Sequence, residues 1–289
     1  MVQLNERDSH SKEKKLPLEV GYTLLRYRRH NANIIYLCDM KQTLLFFSWL
    51  LIVANSWGQI TSKQVDSFYA KYPTVKSNFC PACKEWDNPF FKSIADTQRH
   101  MPLVEHELYT KANTDKIPSV KIPRTGIYAA WHPAYKQVDE TKVYIAANVI
   151  ARANKDLIAK GHVQCWVLNS FSPWAAIVSD TYTFNAGFED QSQNVGTQIA
   201  TENITRTLLK TVDVEVWGGT FGSQGTFTDG KTVCTYPSHY WKIIKSNGNM
   251  QCYWMPNLKT ETQEMLPKRI VTFKQLIISL GFDPTKVLN

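Results

Sequence analysis

The sequence predicts an α+β domain, with a mixed or antiparallel sheet flanked by helices. Three observations lead there. Of the 289 residues 43% are hydrophobic, with 9 Trp, 13 Tyr and 13 Phe, a composition that buries a core and argues against disorder. Short runs rich in β-branched and aromatic residues read as strands. Helical patterns occur among them without a regular strand–helix alternation, which disfavours a parallel βαβ sheet.

Taken in order, residues 1–58 read as a leader. An 11-residue apolar run at 44–54 is too short to span a membrane comfortably and has the length of a secretory signal core. Met40-Lys41 stands directly before it, and Ala54, Ser56 and Gly58 offer small residues for cleavage after it. A signal anchor is the lesser alternative. The remainder, 59–289, reads as one domain. Within it, 63–72 is a short helix, 86–91 a loop, and 126–131 and 142–146 are strands. Residues 147–157 fit a short helix or turn, and 163–167 a further strand. The clearest helix is 191–210, with Asp190 as its N-cap. Residues 212–217 alternate as a strand and stop at Gly218-Gly219, with further strands at 231–236 and 250–254. A closing helix at 271–280 ends at Gly281.

Net charge is +8, which favours polyanionic partners such as nucleic acid. Removing residues 1–58 takes away 8 basic and 5 acidic residues and leaves +5, so the surplus survives. Five of the 6 cysteines lie beyond the leader: Cys80, Cys83, Cys165, Cys234 and Cys252. An odd number in a secreted chain implies disulfides with one thiol left over or paired between chains. Cys80-Pro-Ala-Cys83 has the form of a redox or zinc half-site, but no second pair accompanies it, so an ordinary disulfide role is favoured.

The chemistry concentrates in Gly161-His162 and in the helix that follows. Asn194, Gln198, Glu202 and Arg206 recur every four residues, and on a regular helix such positions share an arc of roughly 120°. Imidazole, carboxamide, carboxylate and guanidinium together suit metal-assisted phosphodiester cleavage. His162 is the natural base near neutral pH. Asn194 offers an oxygen to a hard cation, which keeps several waters. Glu202 is placed to hold a metal-bound water or, equally, to pair with Arg206 at i+4. Arg206 and Lys160 are the candidates for phosphate charge. Asn185 orients either the histidine or the substrate, or forms a turn.

These residues resemble the DNA/RNA non-specific endonucleases of the ββα-metal class, and are most similar to secreted arthropod members. Against the family's Asp-Arg-Gly-His the chain has Ala159-Lys160-Gly161-His162. Asn185, Asn194, Gly196, Glu202 and Arg206 match the family's downstream intervals. The stretches from Val216 to Gly222 and from Pro237 to Lys242 are similar to its Gly-Thr-x-Gly turn and its Pro-x-x-aromatic-aromatic-Lys element. The resemblance implies a ββα-metal nuclease fold with a catalytic core at about 125–260. It further implies His162 as base, Asn194 as ligand of Mg²⁺ (or Mn²⁺), and cutting of DNA and RNA to 5′-phosphate and 3′-hydroxyl ends. The departures are Ala159, Lys160, the segment Val163-Gln164-Cys165-Trp166, Phe188-Glu189 where the family has Pro-Gln, and Gln198 where it has an aromatic residue.

Three functional expectations follow. The first is a secreted endonuclease reaching its substrates through phosphate contacts, without stable membrane association once the signal is removed. The second is a weakened or inactive nuclease scaffold that binds nucleic acid or acts as an effector. The third is an extracellular structural domain. Asn203-Ile204-Thr205 is an N-glycosylation sequon beside Glu202, turned away from it along the helix.

Overall fold

The computed structural model describes residues 60–118 and 140–288, all within one compact unit, Trp57–Asn289. The strand expected at 126–131 lies outside the described residues, as does the leader. Helix α1 (Ser62–Lys71) starts at a capping box in which the Thr61 hydroxyl accepts from the Gln64 N–H while the Gln64 side chain accepts from the Thr61 N–H. Strands β1 (Val75–Lys76), β2 (Cys83–Asp87), β3 (Lys92–Asp96) and β4 (Met101–Tyr109) then form an antiparallel meander. The sequence gives little sign of it, and Trp86, expected in a loop, is a fully buried β2 residue.

After β4 come α2 (Lys111–Thr114) and α3 (Glu140–Ala153), then β5 (Ile158–His162). Helix α4 (Pro173–Ser179) leads to β6 (Ala186–Asp190). Next stand α5 (Gln191–Gln193), a π turn (Asn194–Gln198) and α6 (Ile199–Leu208). The chain re-enters the main sheet through β7 (Val214–Phe221), which pairs with β4. Everything from α2 to α6 is therefore inserted between two neighbouring strands. β8 (Gly225–Thr228) and β9 (Val233–Tyr236) form a small hairpin, whereas β10 (His239–Ser246), β11 (Asn249–Pro256) and β12 (Ile270–Val271) complete the sheet. Its order is β1-β2-β3-β4-β7-β10-β11-β12, antiparallel at every pairing.

Both faces of this sheet are covered, and the strand period of two sorts the side chains. On one face Val214, Val216, Tyr240 and Ile244 pack with Ala200, Ile204 and Leu208 of α6. On the other, Trp217, Trp241 and Ile243 pack with Leu276 and Leu280 of α7 (Phe273–Leu280). Those two leucines, four residues apart, each contribute about 2 kcal/mol of apolar burial. Helix α7 begins at a Thr272–Gln275 capping box and ends at Gly281 with φ 80°, the left-handed conformation glycine adopts freely.

Several local expectations are corrected. Residues 142–146 are helical, because Val143, Ala147 and Ala151 recur every four residues on the buried side of α3. Residues 163–167 are irregular, and the strand precedes them. β7 runs through Gly218-Gly219 instead of stopping there: a Cβ at Gly219 would lie 2.0 Å from the Leu103 carbonyl oxygen, so only glycine lets the strands approach so closely. The helix at 191–210 starts at Asp190, whose carboxylate accepts from the Ser192 N–H (2.8 Å), but it widens into the π turn, where Gly196 is non-helical (φ −95°, ψ −111°). The regular four-residue arc is thus broken between Asn194 and Glu202. Cys80 and Cys83 bond to each other, and Cys165, Cys234 and Cys252 are free and buried.

Candidate active site

β5 and β6 pair antiparallel, with Gly161 opposite Gly187 and His162 opposite Ala186. Together with the helix after β6 they form a ββα unit. One face of the hairpin presses on the main sheet. A Cβ at Gly161 would stand 2.4 Å from Glu189 Oε2 and 2.5 Å from the Tyr240 hydroxyl, so this close approach requires the glycine before His162. The opposite face carries Lys160 and His162, two residues apart and hence on the same side.

Both side chains converge on Asp180, the residue that ends α4. His162 Nε2 lies 2.8 Å from Asp180 Oδ1, and Lys160 Nζ lies 3.2 Å from the same oxygen. Lys160 also donates to the Asp180 carbonyl, and its ammonium sits 4.4 Å from the centre of the Tyr182 ring. Lys160 had been expected on substrate phosphate; it stands instead in a buried ion pair. Asp180 was not anticipated, and no spacing in the sequence links it to His162.

Asn185 is fully buried, with its polar atoms engaged by backbone. Its Oδ1 accepts from the Gln164 N–H (2.6 Å), and its Nδ2 donates to the carbonyls of Gln164 (3.1 Å) and Ser179 (2.5 Å). It ties the stretch after His162 to the end of α4. Thr183 in the same loop has φ 67°, unusual for a β-branched residue, and its hydroxyl donates to Glu140 Oε1 of α3 (2.7 Å).

The helix approaches from the other side. Gln198 Nε2 donates to the His162 carbonyl (2.5 Å), which docks the π turn on the end of β5. Glu202 Oε2 lies 3.2 Å from Arg206 Nη2, the i+4 pair expected from sequence, with the Glu202 side chain only 14% exposed. Glu202 also reaches Cys165, three residues past His162; burial raises that thiol's pKa, and the carboxylate raises it further. Arg206 Nε has no partner among the described residues. His162, Gln198, Glu202 and Arg206 are thereby brought to one region.

Asn194 is half-buried in the π turn, and its carboxamide makes no hydrogen bond among the described residues. Gln193 Oε1, Thr197 Oγ1 and Gln198 Oε1 of this stretch are buried without partners there too. No cluster of three His, Cys, Asp or Glu converges as a metal site among the described residues. A largely hydrated Mg²⁺ needs only one or two protein oxygens, so an oxygen-rich turn carrying a free carboxamide fits such an ion.

The model of the family described as DNA/RNA non-specific endonuclease matches residues 81–276. The chain belongs to the DNA/RNA non-specific endonuclease family. Among solved structures, the crystal structure of the EndoG/EndoGI complex, titled for the mechanism of EndoG inhibition, superposes with a TM-score of 0.55 at 13% identity. The match covers 78% of this chain and 94% of that one. It shows the same fold, in which a ββα unit is mounted on an antiparallel sheet. No curated protein matches the chain.

Family membership gives the departures a structural meaning. Ala159, where the family has Asp, pairs across the hairpin with Glu189, where the family has Gln. The hairpin's carboxylate at this level thus stands on the facing strand. Glu189 is fully buried, and burial drives its pKa well above the ordinary range, opposed by the charge of Lys242. Lys242, from the Pro-x-x-aromatic-aromatic-Lys element, is itself 3% exposed.

Proposed function

We propose that this endonuclease-family chain is a secreted, Mg²⁺-dependent enzyme that hydrolyses DNA and RNA to 5′-phosphate and 3′-hydroxyl ends. The observation that carries this reading is His162 at the end of β5, backed by a buried carboxylate and bonded through its carbonyl to Gln198, which joins the π turn of Asn194 to the helix of Glu202 and Arg206. His162 takes the proton of the water that attacks phosphorus, while the bond to the 3′ oxygen breaks and that oxygen takes a proton from solvent to leave as the hydroxyl. Arg206 offers the exposed part of its guanidinium to phosphate oxygens, with Glu202 holding its orientation. Asn194 would hold the ion, which when bound supplies positive charge at the scissile phosphate. Secretion rests on the apolar run at 44–54.

A second reading, binding without cleavage, is favoured by one observation. The family's arginine is Lys160 here, and its charge faces Asp180, which leaves phosphate one cation fewer.

Plasmid nicking by the full chain, with Mg²⁺ and with chelator, tests the proposal. The wild type is expected to nick only with the ion. His162→Ala is expected to lower the rate by roughly 10²–10⁴-fold while DNA binding at low salt persists. Binding without nicking across several divalent ions supports the second reading. Absence of both binding and nicking rejects both.

A further inference from the structure

The role of Asp180 extends the assignment of His162 as base and rests on it. Asp180 lies on the loop after α4, outside every motif shared with the family, yet both polar residues on the outer face of β5 point at it. The three side chains are deeply buried: Lys160 and Asp180 are each 4% exposed and His162 8%. An ionised carboxylate can only accept, so the imidazole nitrogen 2.8 Å from it carries the hydrogen. A neutral imidazole has one such hydrogen, which makes Nδ1 the nitrogen with the lone pair.

We propose that Asp180 is a positioning residue of the reaction: its carboxylate, paired with Lys160, holds His162 in the Nε2–H tautomer and so gives Nδ1 the task of accepting the water proton. Three features support it. Lys160 and Asp180 form an ion pair at 3.2 Å, so the carboxylate that His162 meets is itself held in place. The Asp180 loop is fixed at both ends, by Asn185 bonding Ser179 and Gln164, and by Ser93 donating to the Phe184 carbonyl (2.6 Å). The dyad also accounts for the departure from the family's arginine: a compact ammonium fits between the Tyr182 ring and the Asp180 oxygens. When His162 takes the proton, the developing imidazolium gains the carboxylate as its counter-charge, and Asp180 stays ionised throughout.

The test uses the full-length chain with Mg²⁺ and an oligonucleotide substrate. Asp180→Asn keeps the shape and removes the charge; kcat is expected to fall by roughly 10²–10⁴-fold with KM changed by less than about threefold. Asp180→Glu restores a carboxylate and is expected to recover at least about tenfold of that loss. Nitrogen-15 NMR of the wild-type ring, which needs no variant, is expected to show hydrogen on Nε2. Hydrogen on Nδ1 overturns the inference, as does an Asp180→Asn chain that folds and keeps wild-type kcat. A drop in folded fraction with kcat per folded molecule unchanged, or no recovery with Asp180→Glu, overturns it as well, leaving Asp180 merely structural. A wild type that does not cut at all overturns the nuclease reading itself, a different result from a cutting wild type with an indifferent Asp180.

Discussion

Among the described residues stand two small two-stranded antiparallel sheets, and they differ in nearly everything but the direction of pairing. In β5–β6 every residue is buried, and four of them, Lys160, His162, Glu189 and Asp190, are charged or titratable. In β8–β9 half the residues are exposed, and only Cys234 and Thr235 are buried. An exposed hairpin needs no remote partner for its polar groups, because water serves. The buried one does: Asp180 answers Lys160 and His162, while the Asn257 side-chain oxygen accepts from the Asp190 N–H (2.7 Å). Burying ionisable groups costs free energy that apolar residues in the same places would not. The contrast locates the chemistry in the hairpin where that cost is sustained.

The sharpest way to break the contrast is to wedge the buried hairpin off the sheet. Gly161→Ala places a methyl 2.4 Å from Glu189 Oε2 and 2.6 Å from Glu189 Cβ, as well as against the Tyr240 hydroxyl. Glu189 must shift, and His162 next door moves with the strand. A stability loss of roughly 1–3 kcal/mol is expected in chemical denaturation, together with reduced nicking. Unchanged stability would mean the hairpin sits more loosely on Tyr240 than its geometry implies.

How far these regions could be read beforehand follows from the same physics. The Gly161-His162 pair and the Asp190 cap were legible because each is a local signal, a short motif or a side chain capping its own helix. The helix at 191–210 was legible from its Asp190 cap and the four-residue spacing of its polar face, but the π turn was not, since only Gly196 marks it. β6 left no trace, because a strand buried on both faces shows no alternation in Ala186-Gly187-Phe188-Glu189-Asp190. α3 was misread because Val143 and Ile145, two apart, imitate a strand within a short window. Asp180 was invisible for another reason: its partner is 18 residues back, and tertiary folding alone brings them together.

A milder perturbation tests whether the buried Glu189 carboxylate is a burden. Burial raises the folded-state pKa of Glu189 above its ordinary value of 4.5, so between that value and its folded pKa the native state holds a proton that the unfolded state has lost. Stability from this group is therefore present at acid pH and lost as pH rises. Glu189→Gln supplies the family's residue and removes the titration. The variant is expected to equal the wild type near pH 4 and to gain on it above pH 4.5, on the order of 1 kcal/mol per pH unit. Parallel stability curves from pH 4 to 8 would show that Lys242 compensates the charge fully. Adding Ala159→Asp to Glu189→Gln restores both family residues, whereas Ala159→Asp alone sets two carboxylates opposite one another.

The smallest effect is expected on the exposed hairpin, and its smallness is the control for the rest. Thr226 faces solvent on β8, opposite Thr235, and its side chain makes no hydrogen bond among the described residues. Thr226→Ala removes some strand preference and little else. Stability should change by no more than about 0.5 kcal/mol, and nicking not at all. A larger loss of nicking with stability intact would place substrate contacts on β8–β9, and the functional surface would then extend beyond the buried hairpin. Unchanged nicking, beside a deficit in Gly161→Ala, ties activity to the one small sheet that hides its charges.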